Sequence, residues 1–244
     1  MIKIENVDVY GFEAAIRGMR NPLNSWDKSD SQMCHGGDGF EDCTLNVTGV
    51  CPRHEDFHHD VFCVGSEDYK LMKNLVKAGS DHSKFMRMIN VTLDITAPLY
   101  WWKEFDTYKV GTVRNSCSTM HKIHSKEFNL DDFSREHLCD YKETDFMRVV
   151  DDCWCGYDVL DITIRMLNFY RKLYIETNDK KYWWQMIQLL PSSYNQRATV
   201  QLNYAVLRNM YHSRRNHKLD EWHTFCEWVE GLPYSELITG GDDA

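Results

Sequence analysis

The sequence predicts an α+β fold (mixed α/β), and three observations favour that class. Strand-like and helix-like periodicities occur in mixed order along the chain. With 244 residues, 43% of them hydrophobic, the chain can bury one large core. No internal repeat, low-complexity segment or linker divides it. We therefore expect residues 1–244 to form a single domain.

The individual elements follow from the spacing of apolar residues. Alternation of apolar and polar residues predicts strands at 2–10, 89–95 and 110–113. Apolar stripes at helical spacing predict helices at 12–19, 67–78, 100–108, 158–177, 182–190 and 221–229. Ser66 is the expected N-cap of the second helix, and Gly79 is expected to end it. In the helix at 158–177 the apolar residues expected to face inward include Ile162 and Met166.

The composition excludes several classes of partner. Lys and Arg total 28 against 37 Asp and Glu, so we expect no nucleic-acid binding. No apolar run reaches membrane-spanning length, and the N-terminal residues carry charges where a signal peptide needs an apolar core. The nine cysteines are then expected to be reduced thiols. These points predict a cytoplasmic protein without a membrane partner.

An insertion at about residues 24–65 differs in composition from the rest of the chain. It is poor in apolar residues and rich in Cys and His. Thiolates and imidazoles are the ligands of structural zinc, and Cys34, Cys43, Cys51 and His54 are the candidate set. A bound metal would order such a polar loop. The alternative is an ordinary reduced surface insertion without a metal, because the tight ligand spacings of known zinc sites are mostly missing.

The segment 190–215 places polar groups on or beside the apolar stripe of one helix. Asn203 begins that side of the helix and Arg214 ends it, with Asn209 between them. Buried amides and charges are costly unless something pairs with them, so a ligand is one interpretation. The other is that Asn203 caps the helix and Arg214 complements its C-terminal dipole.

This segment resembles the family of flavin-dependent thymidylate synthases. The shared features are Leu190-Pro191, an extended run, and Asn203, Asn209 and Arg214 at the spacing N-x5-N-x4-R. Four further features occur in the family's order: His82-Ser83, the strand RMINVTLDITAP, the aromatic run LYWWKEF and the stretch Asn115-Ser116-Cys117-Ser118. The resemblance covers residues 66–125 and 180–232.

The resemblance implies a reaction, its cofactors and an assembly. The family methylates dUMP to dTMP by reduction, with FAD as cofactor and with methylenetetrahydrofolate and NADPH as co-substrates. It implies a homotetramer whose active sites are shared between subunits, in the cytoplasm of a bacterium or in a phage-infected cell. Such a site must hold an isoalloxazine ring against a pyrimidine nucleotide.

The resemblance also assigns roles to residues. His82, Lys109, Asn203 and Asn209 would contact the flavin, and Ser116, Ser118, Arg114 and Arg214 would contact the nucleotide. Ser118 is the expected catalytic group, as a hydrogen-bonding hydroxyl and not as a covalent nucleophile. Taken singly, Ser118 is also consistent with a turn hydroxyl, and His82 with a helix-end or core histidine.

Departures from the family pattern leave the substrate open. Tyr108-Lys109-Val110 stands near the family's Arg-His-Arg, and Met120 and Ile187 replace arginines. Lost arginines remove bidentate phosphate donors, which favours a different pyrimidine nucleotide or a different transferred group. A third alternative is a catalytically silent structural or regulatory homologue. The tryptophan pairs Trp101-Trp102 and Trp183-Trp184 are expected to lie in the core.

Overall fold

The computed structural model describes residues 2–34, 61–139 and 155–240. In chain order its elements are β1 (Lys3–Tyr10), α1 (Phe12–Arg20), β2 (Gln32–Cys34), β3 (Val61–Cys63), α2 (Ser66–Lys77), β4 (Asn90–Pro98), α3 (Leu99–Phe105), β5 (Val113–Ser116), α4 (Gly156–Thr177), α5 (Lys180–Leu189), β6 (Asn195–Asn203), α6 (Tyr204–Arg214), α7 (Asp220–Glu230) and α8 (Glu236–Thr239). Single turns of 3-10 helix span Asn21–Leu23, Trp26–Lys28, Lys84–Arg87 and Leu130–Asp132. Helices and strands alternate in mixed order, which confirms the predicted α+β class.

A four-stranded sheet has the strand order β1-β4-β6-β5, and its strands β5 and β6 contain predicted site residues. Its inner strands bury every second side chain, as a half-buried strand must. The buried residues of these two strands include Val91, Leu93, Ile95, Ala97, Ala198, Val200 and Leu202. The predicted alternation at 89–95 is therefore confirmed. β5 begins at Val113, not at 110, because Gly111 adopts a φ of +78° that interrupts an extended strand.

The described ends of the insertion pair with each other. β2 and β3 form an antiparallel ribbon in which Gln32 pairs with Cys63. Cys34 is the last residue of β2, whereas Cys43, Cys51 and His54 lie outside the described residues. The zinc prediction therefore stays a prediction.

The chain divides into two compact units. The first unit comprises Met1–Ile4, Asp94–Thr107 and Arg114–Thr199, and the second comprises Glu5–Leu93, Tyr108–Val113 and Val200–Ala244. The prediction of a single domain stays a prediction.

In the first unit, α4 packs against α5 over an apolar core. The fully buried members of this cluster are Ile123, Phe128, Phe133, Leu160, Ile164, Leu167 and Met186. On α4 only one stripe takes part, so Ile162 and Met166, which were predicted to face inward, are instead 39% and 37% exposed. The prediction was wrong for these two residues because a helix that packs on one side buries a single face.

Of the two tryptophan pairs predicted to lie in the core, one is buried and the other is partly exposed. Trp101 and Trp102 are 0% and 2% exposed, as predicted for the core. Trp183 is half-buried and donates its Nε1–H to the Met120 carbonyl at 2.9 Å. Trp184 is 44% exposed, so the core prediction was wrong for that residue.

In the second unit, α6 packs against α7, α8 and the turn at Lys84–Arg87, and the same turn contacts α1. Gly11 precedes α1 with a φ of +98°, and a Cβ atom there would lie 2.1 Å from the Met88 carbonyl oxygen. Only glycine permits this close approach. The chain before α1 therefore lies directly against the Met88 backbone, with no space for a side chain at Gly11.

The start of α2 is fixed by residues far away in the sequence. Ser66 is the first helical residue and not the N-cap, so that prediction was wrong. The carboxylate of Asp30 accepts the backbone N–H groups of Glu67 and Asp68 at 2.9 and 3.0 Å. Burial alone would raise the pKa of Asp30, but these hydrogen bonds bring it below its ordinary value. Asp30 thus caps the helix in place of a local residue.

None of the helices within 2–34, 61–139 and 155–240 is long and apolar enough to cross a membrane.

Candidate functional site

The junction between β6 and α6 holds the first predicted site residue. Asn203 ends β6 and is the N-cap of α6, where its Oδ1 accepts the Val206 N–H at 3.1 Å. The capping interpretation therefore holds for its oxygen. The amide nitrogen is turned toward the stretch that precedes β5, which places a hydrogen-bond donor there.

That preceding stretch approaches Asn203 closely because it contains a glycine. A Cβ atom on Gly111 would lie 3.1 Å from both Asn203 Nδ2 and Val206 Cγ2. The next residue, Thr112, has a buried Oγ1 with no hydrogen-bond partner in the part of the chain that the structure describes. A buried hydroxyl without a partner costs free energy, so it marks a place where a polar ligand atom would be favourable.

At the end of α6 the predicted arginine lies beside two aromatic rings. Arg214 donates its Nε–H to the Tyr108 hydroxyl at 2.9 Å. Its guanidinium carbon lies 5.5 Å from the ring centroid of Tyr108 and 5.0 Å from that of Trp222. Trp222 is fully buried, so this clamp fixes the direction of the guanidinium. Arg214 is also the last residue of α6, where a positive charge complements the helix dipole.

The other three residues predicted to contact the flavin are exposed. His82 lies in a turn after α2, where its backbone N–H donates to the Gly79 carbonyl at 3.1 Å. Lys109 lies between Tyr108 and the Gly111 turn, and Asn209 lies on the outer face of α6. In the described ranges, the side chains of His82 and Asn209 form no hydrogen bond. Their assignment to the flavin stays a prediction.

In the first unit, Arg114 is engaged by neighbouring side chains. Its Nη1 donates to both carboxylate oxygens of Asp106 at 2.9 and 2.7 Å, and its Nη2 donates to Gln196 Oε1 at 2.5 Å. The guanidinium carbon lies 3.9 Å from the Trp102 ring centroid. The Arg114 Nε has no hydrogen-bond partner within the described ranges. A charge that is paired and stacked in this way stabilises the fold, so Arg114 is a weaker candidate for a nucleotide ligand than its position in the sequence suggested.

Gln196 connects this arginine to the backbone on both sides. Its Nε2 donates to the Cys117 carbonyl at 2.6 Å, and its own carbonyl accepts the Trp102 indole N–H at 2.9 Å. Cys117 in turn donates its N–H to the Arg197 carbonyl at 2.8 Å. The stretch from Arg114 to Cys117 is therefore held firmly against β6.

The two serines predicted to contact the nucleotide lie at the end of β5 and in the turn that follows it. Ser116 is exposed at the end of β5. Ser118 is exposed too, and its Oγ accepts the His121 N–H at 2.9 Å. This is the turn hydroxyl that was the alternative interpretation of Ser118.

Burial raises the pKa of Tyr194, with smaller contributions from Asp132 and Cys117, so this phenol stays protonated at neutral pH and is not a general base.

The predicted residues thus fall into two groups. Arg114, Ser116 and Ser118 belong to the first unit, whereas His82, Lys109, Asn203, Asn209 and Arg214 belong to the second. Within the second unit, Arg214 at the end of α6 binds Tyr108, and Asn203 at the end of β6 lies close to Gly111. That all of the predicted residues form one site stays a prediction.

Sequence reasoning missed the partners of these residues. Tyr108 was noted only as a departure from the family pattern, and Thr112, Trp222, Asp106 and Gln196 were not singled out. The signal available was weak, because Tyr108 lies 106 positions from the arginine that it binds. An aromatic residue eight positions after Arg214 was the only local sign of a clamp.

Within 2–34, 61–139 and 155–240, no group of three or more His, Cys, Asp or Glu side chains is placed to hold a metal ion. Three members of the predicted zinc set lie outside these ranges.

Comparison with known proteins gives a clear result for structure and none for sequence. No model of a protein family matches the chain, and no curated protein matches it. Among solved structures, thymidylate synthase X (ThyX) from Helicobacter pylori with FAD and dUMP matches 99% of this chain and 98% of its own, at 16% identity and a TM-score of 0.61. A second ThyX structure from the same organism, also complexed with FAD and dUMP, matches 98% of both chains at 17% identity and a TM-score of 0.61.

A third solved structure comes from a different enzyme. The UMP/dUMP methylase PolB from Streptomyces cacaoi, bound with 5-Br dUMP, matches 98% of this chain and 95% of its own, at 14% identity and a TM-score of 0.52. These likenesses extend over nearly the whole chain. The chain therefore has an α+β fold similar to that of these three proteins. In particular, it has the fold of the flavin-dependent thymidylate synthases, as the sequence motifs predicted.

Proposed function

We propose that the protein is a flavin-dependent enzyme that uses FAD to methylate a pyrimidine nucleotide. The favoured reaction is the reductive methylation of dUMP to dTMP, with methylenetetrahydrofolate as carbon donor and NADPH as reductant. The observation that carries the proposal is the match of nearly the entire chain to a protein that binds FAD and dUMP. The motif residues Asn203 and Arg214 lie in the second unit beside polar groups suited to such ligands.

The second unit has a donor set that suits a flavin. An isoalloxazine ring presents alternating hydrogen-bond donors and acceptors, and amides and hydroxyls match both kinds. Asn203 Nδ2 lies close to Gly111, which has no side chain, and the next residue carries the buried, unpartnered Thr112 Oγ1. We propose that these groups hold the ring, with the exposed side chains of His82, Lys109 and Asn209 around it. When bound and reduced, the flavin supplies the hydride that the methylation requires.

The nucleotide is assigned to Arg214 and to the two serines. A guanidinium held beside two aromatic rings is preorganised to donate to a uracil carbonyl or a phosphate. The Ser118 hydroxyl is proposed to hydrogen-bond the pyrimidine and to orient it, with Ser116 beside it. Lys109 would add a point charge near the phosphate in place of the missing arginines. The site is proposed to be shared between subunits of a cytoplasmic homotetramer.

A second candidate is the same scaffold acting on UMP or on another pyrimidine nucleotide. Two observations favour it. Arg114 binds Asp106 within the first unit, and Ile187 replaces an arginine, so two cations that could bind a phosphate are lost. PolB shows that a protein of similar fold is a UMP/dUMP methylase. A catalytically silent homologue is the remaining alternative.

The absorbance spectrum of the purified protein tests these proposals. We expect an oxidised-flavin spectrum that changes when dUMP is added, because a base stacked near the ring perturbs it. A spectrum that responds to UMP and not to dUMP would favour the second candidate. A colourless protein that binds no added FAD would contradict both and leave the silent homologue.

A matched pair of variants tests the flavin assignment. Asn209→Ala is expected to weaken FAD binding about tenfold, as the loss of a ligand hydrogen bond does. Gln188→Ala removes an exposed amide from α5 and is expected to have no effect. Equal FAD affinity in both variants would show that Asn209 does not contact the flavin. Zinc at Cys34, Cys43, Cys51 and His54 is a separate proposal, which metal analysis of the purified protein tests.

A further inference from the structure

One side of α4 binds the backbone of a turn-rich segment of the first unit. Asn168 pairs with Phe128 through both of its side-chain groups: its Oδ1 accepts the Phe128 N–H at 2.9 Å, and its Nδ2 donates to the Phe128 carbonyl at 2.8 Å. Arg171 donates its Nε–H to the His124 carbonyl at 3.0 Å. The ring of Tyr174 packs edge-on against the His124 ring, with 4.9 Å between the centroids. These three helical residues are spaced three apart and therefore lie on the same side of α4.

Arg171 uses only part of its hydrogen-bonding capacity in this contact. Its Nε is bound, but its Nη1 and Nη2 form no hydrogen bond or ion pair with any residue in 2–34, 61–139 and 155–240. The positions three and four residues away on α4 hold no carboxylate: they are Leu167, Asn168, Tyr174 and Ile175. Arg165 on the same helix differs, because it binds Asp161 at 2.6 Å. Arg171 is therefore an anchored guanidinium whose two terminal nitrogens remain available as donors.

The surroundings of this guanidinium favour an anionic ligand. Lys122, two residues before His124, is exposed and forms no ion pair with the residues that the structure describes. The Nδ1 atom of His124 is buried and has no hydrogen-bond partner among the same residues, so a polar atom is missing beside it. In a chain of net charge -9, two unpaired cations on one segment attract an anion to that place.

The segment that Arg171 binds is continuous with the proposed nucleotide contact at Ser118. The Ser118 hydroxyl accepts the N–H of His121, and the carbonyl accepted by Arg171 follows three residues later, at His124. Turns keep this stretch short, since the Ser125 N–H binds the Lys122 carbonyl at 2.9 Å. The phosphate of a pyrimidine nucleotide lies one sugar away from its base. A base oriented by Ser118 would therefore extend its phosphate toward cations on the same stretch.

We propose that Arg171 binds the phosphate of the nucleotide through its two terminal nitrogens, while the His124 carbonyl holds its Nε. A guanidinium oriented in this way can donate two parallel hydrogen bonds to a phosphate, and Lys122 adds a point charge. The inference rests on the proposed function, because it takes the ligand at Ser118 to be a nucleotide. It assigns the phosphate to a cation outside the motifs of the resemblance, in a chain with Met120 and Ile187 at the places of two arginines.

Calorimetric titration of the full chain with dUMP and with deoxyuridine tests the proposal, because these ligands differ only in the phosphate. We expect Arg171→Gln to bind dUMP about 30-fold more weakly and to keep the wild-type affinity for deoxyuridine. Arg165→Gln removes an arginine from the same helix and should change neither affinity. Equal losses for both ligands, or an unchanged affinity for dUMP, would overturn the proposal. UMP and uridine replace this pair of ligands if UMP binds more tightly to the wild type.

Arg171→Lys gives a second test that retains the positive charge and does not depend on the glutamine variant folding. A lysine cannot form two parallel hydrogen bonds, so we expect dUMP affinity to fall about fivefold with deoxyuridine affinity and the circular dichroism spectrum unchanged. A loss of the same size for both ligands would mean that Arg171 only supports the fold, which contradicts the proposal.

The calorimetric result is separable from the test of the proposed function, because it measures nucleotide binding without relying on a flavin signal. A chain that binds no FAD but shows the loss specific to dUMP would contradict the flavin chemistry and retain Arg171 as the phosphate ligand. A yellow protein whose dUMP affinity does not depend on Arg171 would do the reverse. A wild type that binds neither nucleotides nor nucleosides would overturn both.

Discussion

Two arginines of this chain each lie over a tryptophan ring, but their hydrogen bonds differ in kind. In the first unit, Arg114 lies 3.9 Å from the Trp102 ring centroid and binds both carboxylate oxygens of Asp106. In the second unit, Arg214 lies 5.0 Å from the Trp222 ring centroid, and its Nε binds the neutral hydroxyl of Tyr108. A hydrogen bond between a guanidinium and a carboxylate is stronger than one between a guanidinium and a neutral phenol. The Asp106 pair therefore ties Arg114 to the fold, while the Tyr108 hydroxyl orients the Arg214 side chain.

The hydroxyl groups of the two units show the same contrast. Ser118 in the first unit accepts the His121 N–H at 2.9 Å. Thr112 in the second unit has a buried Oγ1 without a hydrogen-bond partner among the described residues. A structural hydroxyl has its hydrogen bond inside the chain, while an unpartnered one is left for a ligand or water. Of these two hydroxyls, only that of Thr112 leaves a hydrogen bond unmade within the described residues.

The largest effect should come from Arg214→Ala. Loss of a preorganised guanidinium from a nucleotide site is expected to lower dUMP affinity about 100-fold, or about 3 kcal/mol. Titration of the flavin spectrum with dUMP measures it. Arg197→Ala is the control, because Arg197 is an exposed arginine that binds Asp94 in the first unit. An equal and small loss in both variants would contradict the assignment of Arg214.

Arg114→Met should instead reduce stability. It leaves Gln196 Oε1 without its donor and uncovers Trp102, so the free energy of unfolding is expected to fall by about 2 kcal/mol. Urea unfolding measures the change. Arg165→Met removes an exposed ion pair on α4 and should have little effect. If Arg114→Met kept wild-type stability but lost nucleotide affinity, the distinction between the two arginines would be wrong.

The fold was predictable from the sequence where a local pattern determines it. β4 alternates buried and half-buried residues as its sequence does, and α4 spans almost the range that its periodicity predicted. Predictions failed where a distant residue decides. Asp30 caps α2 from 36 or more positions away, and the exposed face of α4 depends on where α5 packs. Local periodicity cannot say which of two apolar faces of a helix becomes the core.

The candidate site was predictable only as a set of motif residues. Asn203 and Arg214 were found by spacing, but their surroundings come from the stretch 108–113, which departs from the family pattern. Tyr108 and Thr112 matter because of what lies next to them in space. A single sequence contains no direct record of such contacts between distant positions.

Thr112→Val tests the unpartnered hydroxyl through two changes of opposite sign. Valine has nearly the same shape and needs no hydrogen bond, so stability without a ligand should be unchanged or rise by up to about 1 kcal/mol. FAD affinity should fall about fivefold, because the ring loses a hydrogen bond. Thr199→Val is the control, since the Thr199 hydroxyl binds Asp94 at 2.6 Å. That variant should lose stability and keep its FAD affinity, and a Thr112 variant that behaved in the same way would contradict the proposed flavin contact.

The smallest effect should come from Tyr108→Phe, which keeps the ring beside Arg214 and removes only the acceptor of its Nε–H. We expect dUMP affinity to fall about threefold, or less than about 1 kcal/mol, with FAD affinity unchanged. Tyr10→Phe removes a hydroxyl that accepts the Gln201 amide on the sheet and should leave both affinities as they are. The ratio between this loss and that of Arg214→Ala separates the contribution of the Tyr108 hydrogen bond from that of the aromatic rings. A loss as large as that of Arg214→Ala would mean that the guanidinium acts only while the phenol holds it, whereas no loss at all would mean that the stacked rings alone orient it.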